Sequence, residues 1–411
     1  MNAPVAAQAF AAAPTSPSPA LMNTYARAEL AFERGEGAWM IATDGRRFLD
    51  FASGIAVTAL GHCHPHVVKA LTEQAQKIWH TSNLYRIPGQ ERLGERLVDA
   101  SFADQVFFGN SGVEAIECGL KLVRKYHDDF GDAGRYRVIA CEGSFHGRTL
   151  AGLAAAGNEK YLKGYAPYVD GFDHVPFGNL NELRAKIGPE TAAILVEPVQ
   201  GEGGMRAASI DYLKGLRAVA DEFGLLLFFD EVQCGMGRTG KLFAHEWAGV
   251  APDILATAKG IGAGFPLGAC LATAKVAAAF GPGSHGTTFG GNPLAMAVGN
   301  AVLDVMLAPG FFDNVTARGA QLKAGVERLI AAYPKVFVDV RGKGLMLGLK
   351  CVGSNLDMVD RLRRGGLLTV GAADNVVRLL PPLIITAAEI GQALDMIEKA
   401  AQESTQEANK T

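Results

Sequence analysis

Asp230 ends an apolar run, LLLFFD, that begins at Leu225. A carboxylate in such a setting is costly to ionise unless a cation faces it. A protonated pyridine nitrogen is one such cation. Holding that proton is what makes the ring of pyridoxal 5'-phosphate (PLP) an electron sink. A helix or turn cap is the plainer use of the same residue. Lys259 follows in ILATAKGIGAGFPLGA, after a small apolar approach and before Gly260, Gly262 and Gly264. Glycines let the backbone turn sharply and pass close to a ligand. A lysine in a confined, apolar-lined place loses basicity and can form a Schiff base. Alone, Lys259 is a surface lysine before a flexible loop; with Asp230 on the preceding strand it becomes a cofactor lysine.

A phosphate group would need a seat. In GNSGVEAIECGLKLVRKY, Asn110 or Ser111 can cap a helix, and Glu114 stands at capping-box spacing from Ser111. Val113, Ile116, Leu120 and Val123 form a helical apolar stripe. A glycine in the first turn leaves backbone N–H groups open to an anion, so Gly112-Val113 is either a phosphate seat or part of an ordinary capped helix. EGSFHGRT offers Phe145 to stack on a ring and Arg148 to grip a carboxylate through two hydrogen bonds. HGTTFGGNPLA places Thr287 and Thr288 before a Gly-Gly turn. Their hydroxyls suit a phosphate, although threonines in loops commonly serve the turn itself.

Three other patterns lead elsewhere. GMGRTGK, from Gly235, has the GxxxxGK outline of an NTP-binding loop and follows an apolar strand. Leu242 then occupies the place where Mg²⁺ needs Ser or Thr, which weakens this rival reading. HCHPH, from His62 to His66, resembles a metal cluster, but Pro65 interrupts it and no distant ligand pair matches, so no metal is expected. Gly260-x-Gly262 lacks the spacing of a dinucleotide fingerprint.

The elements that must position these residues alternate along the chain. RVIAC from Arg137, AAILVEPVQ from Ala192 and LLLFFDEVQ from Leu225 are near-continuous apolar runs, suited to strands buried on both faces. DYLKGLRAVADEFG, between the last two, has helical spacing and a terminal glycine. Strand, helix and strand at this spacing form a βαβ unit with parallel strands, whose ligands bind at the carboxyl ends. Glu197, Asp230 and Glu231 stand at such ends. After about Ala301 come a long helix, VFVDVRGKGLMLGLKC, VVRLLPPLIIT and a last helix to about Ala401, the pattern of a smaller α+β unit. AWMIATDGRRFLDF is a strand pair turning at Asp44-Gly45. The expected organisation is α/β: a disordered tail (1–22), an N-terminal segment (23–76), a large domain (77–300), a small C-terminal domain (301–401) and a polar tail (402–411).

The 411 residues leave room for two or three folding units. With 49% apolar and 20% charged residues, the composition is that of a globular enzyme. A net charge of −3 gives no nucleic-acid footprint, and no apolar run is long enough to span a bilayer. Six cysteines without a CxxC pair suit reduced thiols. The first twenty residues contain no Lys or Arg, so neither a secretory nor a mitochondrial leader is expected, and a cytoplasmic location is.

In order along the chain, TYARAELAFERGEG, GHCHPHVVKAL, TSNLYRIPGQ, NSGVEA, FHGRT, VEPVQGEGG, FDEVQCGMGRTG, AKGIGAGFPLGA, TTFGGNPLA, VRGKGLMLG and VRLLPPL resemble the class III, fold-type I aminotransferases, most closely the acetylornithine group. The resemblance runs from about Thr24 to about Ala400. It implies a PLP enzyme with a large, mostly parallel sheet domain and a smaller α+β C-terminal domain. It implies that Lys259 bonds to the cofactor, Asp230 pairs with the pyridine nitrogen, Gln233 approaches the phenolic oxygen and Phe145 stacks on the ring. Gly112 and Val113 would hold the phosphate, joined by Thr288 from a partner subunit, with Thr287 near the substrate. Arg148 would bind a substrate carboxylate and Arg378 the α-carboxylate of glutamate, and Glu197 would cover Arg378 when that carboxylate is absent.

The resemblance further implies a homodimer with the active site at its interface. The implied reaction moves the δ-amino group of N2-acetylornithine to 2-oxoglutarate, in arginine biosynthesis. Succinylornithine, N-succinyl-diaminopimelate, ornithine and 4-aminobutyrate are alternative donors, although SNLYRIPGQ favours the acylated ornithines. Val113 departs from the family's frequent Thr, which a backbone contact should tolerate. Lys350-Cys351 replaces an acidic-aliphatic pair without evident meaning.

Overall fold

The computed structural model describes residues 20–408. A seven-stranded sheet forms its centre, in the order Gln105–Gly109, Gly268–Ala272, Ile254–Thr257, Leu226–Asp230, Thr191–Val196, Arg137–Cys141 and Phe172–Val175. Only Gly268–Ala272 runs against the others. The four strands from Gly268–Ala272 to Thr191–Val196 are buried along their whole length, as helices on both faces require. The pleat sends Phe228 to one face, against the helix Gly112–Phe130, and Phe229 to the other, against Ile210–Phe223.

Gly119 lets the first of these helices lie close to the sheet. A Cβ there would stand 2.2 Å from the ring of Phe228. Gly119→Ala should therefore cost about 1–3 kcal/mol by overpacking, more than alanine's helix propensity returns. A urea midpoint equal to wild type would show that the contact has slack.

A second sheet, antiparallel, takes Phe337–Lys343, Met346–Cys351, Val376–Leu379 and Val370–Ala372 in that order. The helices Phe311–Ala332 and Asn355–Arg364 pack against it, and Ala387–Ala408 packs against both of those helices. The last helix runs on past Ala401, where the apolar spacing of the sequence stops. Arg361 ties Glu403 and Glu407 to the neighbouring helix, and the hydroxyls of Ser404 and Thr405 bond to carbonyls one turn back. The tail expected over 1–22 falls almost entirely outside the described residues, as do the final three positions.

The N-terminal strands Phe32–Glu36, Trp39–Ala42 and Arg47–Asp50 form an antiparallel meander, with Gly45 at positive φ in the turn. Its fourth strand comes from the other end of the chain: Leu367–Leu368 pairs in parallel with Arg47–Asp50.

The remaining motifs have structural uses here. The GMGRTGK segment is a run of turns without a following α-helix. Its Arg238 is buried and donates to the carbonyls of Leu345 and Pro381, tying the loop to the second sheet. His62 turns to Asp50 at 2.9 Å and His66 to Asp304 at 2.8 Å, so these histidines address different carboxylates. No single helix among the described residues is long and apolar enough to cross a membrane.

Candidate active site

A cavity of about 370 Å³ opens at the carboxyl ends of the central strands. Asp230 ends its strand there and is 4% exposed. The next strand, Ile254–Thr257, leads through Ala258 to Lys259, which opens a short 3-10 turn with φ +50°. A side chain at Gly260 would meet Met236 at 2.8 Å, so glycine is what lets the turn pack. Burial pushes the Lys259 ammonium below its usual pKa, against the opposing pull of Asp230, Glu202 and Glu197.

Facing the lysine is the start of the helix Gly112–Phe130. Ser111 caps it, accepting from the Glu114 N–H at 3.3 Å. The Glu114 carboxylate reaches back to the Asn110 N–H at 2.7 Å and the Ser111 hydroxyl at 2.8 Å. A Cβ on Gly112 would lie 2.6 Å from Val232, so only a bare backbone fits this edge of the cavity. First-turn N–H groups are then free for an anion. Phe145 lines the wall, as does Gln233, whose Oε1 is buried without a hydrogen-bond partner.

Two acidic groups share the floor and divide the charge. Glu197 accepts from the Phe145 N–H at 3.1 Å, and its pKa is raised well above the carboxylate range, first by burial and then by the charge of Asp230. Asp230 accepts from the Val232 N–H at 3.0 Å and lies 2.8 Å from His146 Nδ1.

The expectation for Glu197 needs correction. Arg378, on the strand Val376–Leu379, pairs with Glu202 and donates to the Gly371 carbonyl at 2.8 Å. Glu197 ends the sheet next to Phe145 and Asp230. Glu202 sits in the turn between Val199–Gln200 and Arg206–Ala207, which reaches toward the second sheet.

Of the other expected residues, Gly112, Val113, Phe145, Glu197, Asp230, Gln233 and Lys259 all line the cavity. Arg378 comes to its edge through Glu202, which does line it. Arg148 is exposed, its guanidinium 3.9 Å above the Tyr161 ring and 5.4 Å from the centre of Phe145. Thr287 and Thr288 do not line the cavity within one chain. The Thr287 hydroxyl accepts from the Gly290 N–H at 3.0 Å, and Thr288 is exposed.

Sequence reasoning missed His146, Glu202 and Val57. His146 stood beside Phe145 in FHGRT, and Glu202 stood in QGEGG, but neither pairing could be read from spacing. Val57 enters the cavity from a left-handed turn in which Ser53, Gly54, Ile55 and Ala56 all have positive φ. Three of those four residues carry side chains, which ordinarily avoid that conformation, so no residue type there signals the turn.

Comparison with known proteins decides the family. A profile described as aminotransferase class-III matches residues 22–401. The chain belongs to the class-III aminotransferases. It is 60% identical over 383 residues to an acetylornithine aminotransferase of Mesorhizobium japonicum, covering 93% of this chain and 96% of the relative. It is 59% identical over 382 residues to that of Brucella melitensis, covering 93% and 95%. A solved N-acetylornithine aminotransferase from Stenotrophomonas maltophilia superposes with a TM-score of 0.81 at 38% identity, covering 93% of this chain and 98% of the other.

A class-III aminotransferase is a PLP-dependent enzyme of fold type I, and the chain has the α/β architecture of that fold. The cavity fits the cofactor. It supplies a lysine of lowered basicity, a buried carboxylate, a helix start that admits no Cβ and an orphaned polar atom on Gln233.

Proposed function

We propose that this aminotransferase moves the terminal (δ) amino group of N2-acetylornithine to 2-oxoglutarate, giving N-acetylglutamate 5-semialdehyde and glutamate, as a step of arginine biosynthesis in the cytoplasm. The observation that carries the reading is Arg378, buried at the cavity edge and paired there with the carboxylate of Glu202. A transaminase must accept two unlike substrates in one site. Glutamate carries a carboxylate beside its reacting amine. N-acetylornithine carries only hydrogens there, and its carboxylate lies at the far end. An arginine that a glutamate side chain can cover or release serves both, since an uncovered buried guanidinium is expensive. The names of the relatives at 59–60% identity support the same donor.

Bound PLP supplies the electron sink for the charge left at the amine-bearing carbon. Lys259 holds the cofactor and then moves the proton at that carbon, a task helped by its lowered basicity. Asp230, at the cavity floor, would pair with the pyridine nitrogen and keep its proton in place. Gln233, on the cavity wall, would offer its amide N–H to the phenolic oxygen of the ring, and Phe145 would cover one face. The backbone N–H groups of Gly112 and Val113 would hold the phosphate, for which a valine side chain is no obstacle.

The partner subunit's Thr288 would complete the phosphate seat, and Thr287 would stand near the substrate. Exposed apolar side chains support a homodimer: Met22, Tyr25, Trp79, Leu84, Tyr85 and Phe289 are all more than half exposed in one chain.

The test of the donor is kcat/KM for N-acetylornithine, succinylornithine, N-succinyl-diaminopimelate, ornithine and 4-aminobutyrate with 2-oxoglutarate as acceptor. N-acetylornithine should rank first; ornithine or 4-aminobutyrate in that place would overturn the assignment. Single-turnover kinetics separate the two arginines. Arg378→Ala should slow the half-reaction with glutamate by about 100-fold and that with N-acetylornithine far less. Arg148→Ala should impair both, because a distal carboxylate is present in each. Equal damage to both half-reactions from Arg378→Ala would refute this division.

A further inference from the structure

His146 lies one residue beyond the ring-facing Phe145 and plays no part in the steps above. Its side chain is fully buried, with Nδ1 at 2.8 Å from Asp230 Oδ2. Its other nitrogen, Nε2, is buried and has no hydrogen-bond partner. This arrangement selects one form of the ring. An ionised carboxylate can only accept, so Nδ1 must carry the hydrogen. A hydrogen on Nε2 as well would make the ring a cation and bury a donor with nothing to receive it. The bare Nε2 of a neutral ring costs less.

The geometry also bears on the direction of Asp230. One carboxylate oxygen accepts from the Val232 N–H at 3.0 Å and the other from His146. These two donors, from different segments, fix the plane of the carboxylate while it still lines the cavity.

We propose that His146 is a positioning residue: a neutral imidazole, protonated on Nδ1, that orients the Asp230 carboxylate for the pyridine nitrogen of PLP. The proposal rests on the role of Asp230 given above.

PLP titrations of the apo form of each variant provide the test. His146→Phe keeps a buried ring but removes the donor, and should weaken PLP affinity by about 10- to 100-fold. His146→Asn places an amide nitrogen near the position of Nδ1 and should recover most of that loss. Nitrogen-15 spectra of the wild-type histidines should show the Nδ1–H tautomer at His146, and this readout stands even if the phenylalanine variant does not fold. Asp230→Asn is the control for the underlying reading. If Asp230→Asn loosens PLP while His146→Phe binds it as tightly as wild type, the His146 role alone is overturned. If Asp230→Asn leaves affinity unchanged, the partner role of Asp230 falls and takes the proposal with it. An Nε2–H tautomer, or an asparagine variant no better than the phenylalanine, would also overturn it.

Discussion

Lys259→Ala should lower kcat by about four orders of magnitude or more, the scale seen when a single indispensable catalytic group is deleted. Among the residues lining the cavity Lys259 is the sole lysine, so nothing nearby can take over its covalent and proton-transfer duties. Borohydride treatment of the wild-type holoenzyme, followed by peptide mapping, should place the cofactor on Lys259. Added methylamine should restore a small part of the variant's turnover, because a free amine can move the proton without holding the cofactor. Turnover within tenfold of wild type in the absence of added amine would sink the assignment, as would a label on another lysine.

Asp230→Asn is the second large effect expected. The amide nearly preserves shape and volume but cannot hold the pyridine proton by charge. Removal of one such electrostatic group typically costs about 3–4 kcal/mol, or 10²–10³ in kcat. The change should also be felt by Glu197, whose proton is held partly by the charge of Asp230; without that charge the glutamic acid ionises more readily. A loss of less than tenfold in kcat would reduce Asp230 to a structural cap.

Much of the site was legible because its residues sit where strand and helix patterns end. Asp230 closes an apolar run, Gly112 follows a capping serine, and Lys259 precedes a glycine series. Each is a local signal of something the backbone must do. Glu197 shows where this reading stops. It stood in the same stretch as Glu202, and nothing in VEPVQGEGG tells which of two glutamates five positions apart will meet an arginine on another sheet. That choice is made by the turn at Gly201–Gly204 and by the packing of the second sheet against it. His146 was hidden for the same reason, since its partner is 84 positions away. The broad architecture followed from apolar periodicity, whereas the reversed strand Gly268–Ala272 and the N-terminal sheet's fourth strand depend on long-range pairing that leaves no periodic trace.

That fourth strand also constrains how the molecule is made. Leu49 pairs in register with Leu367, more than three hundred residues later in the chain. At ribosomal speeds of about 5–20 residues per second, the first partner emerges roughly 15–60 s before the second. During that interval Phe48 and Leu49, both buried in the finished protein, lack the neighbour that closes their sheet. The N-terminal meander therefore cannot finish folding co-translationally as an autonomous unit. Its completion waits until Leu367 has been made, and a nascent chain stalled before that residue would present an open strand edge to chaperones or to other nascent chains.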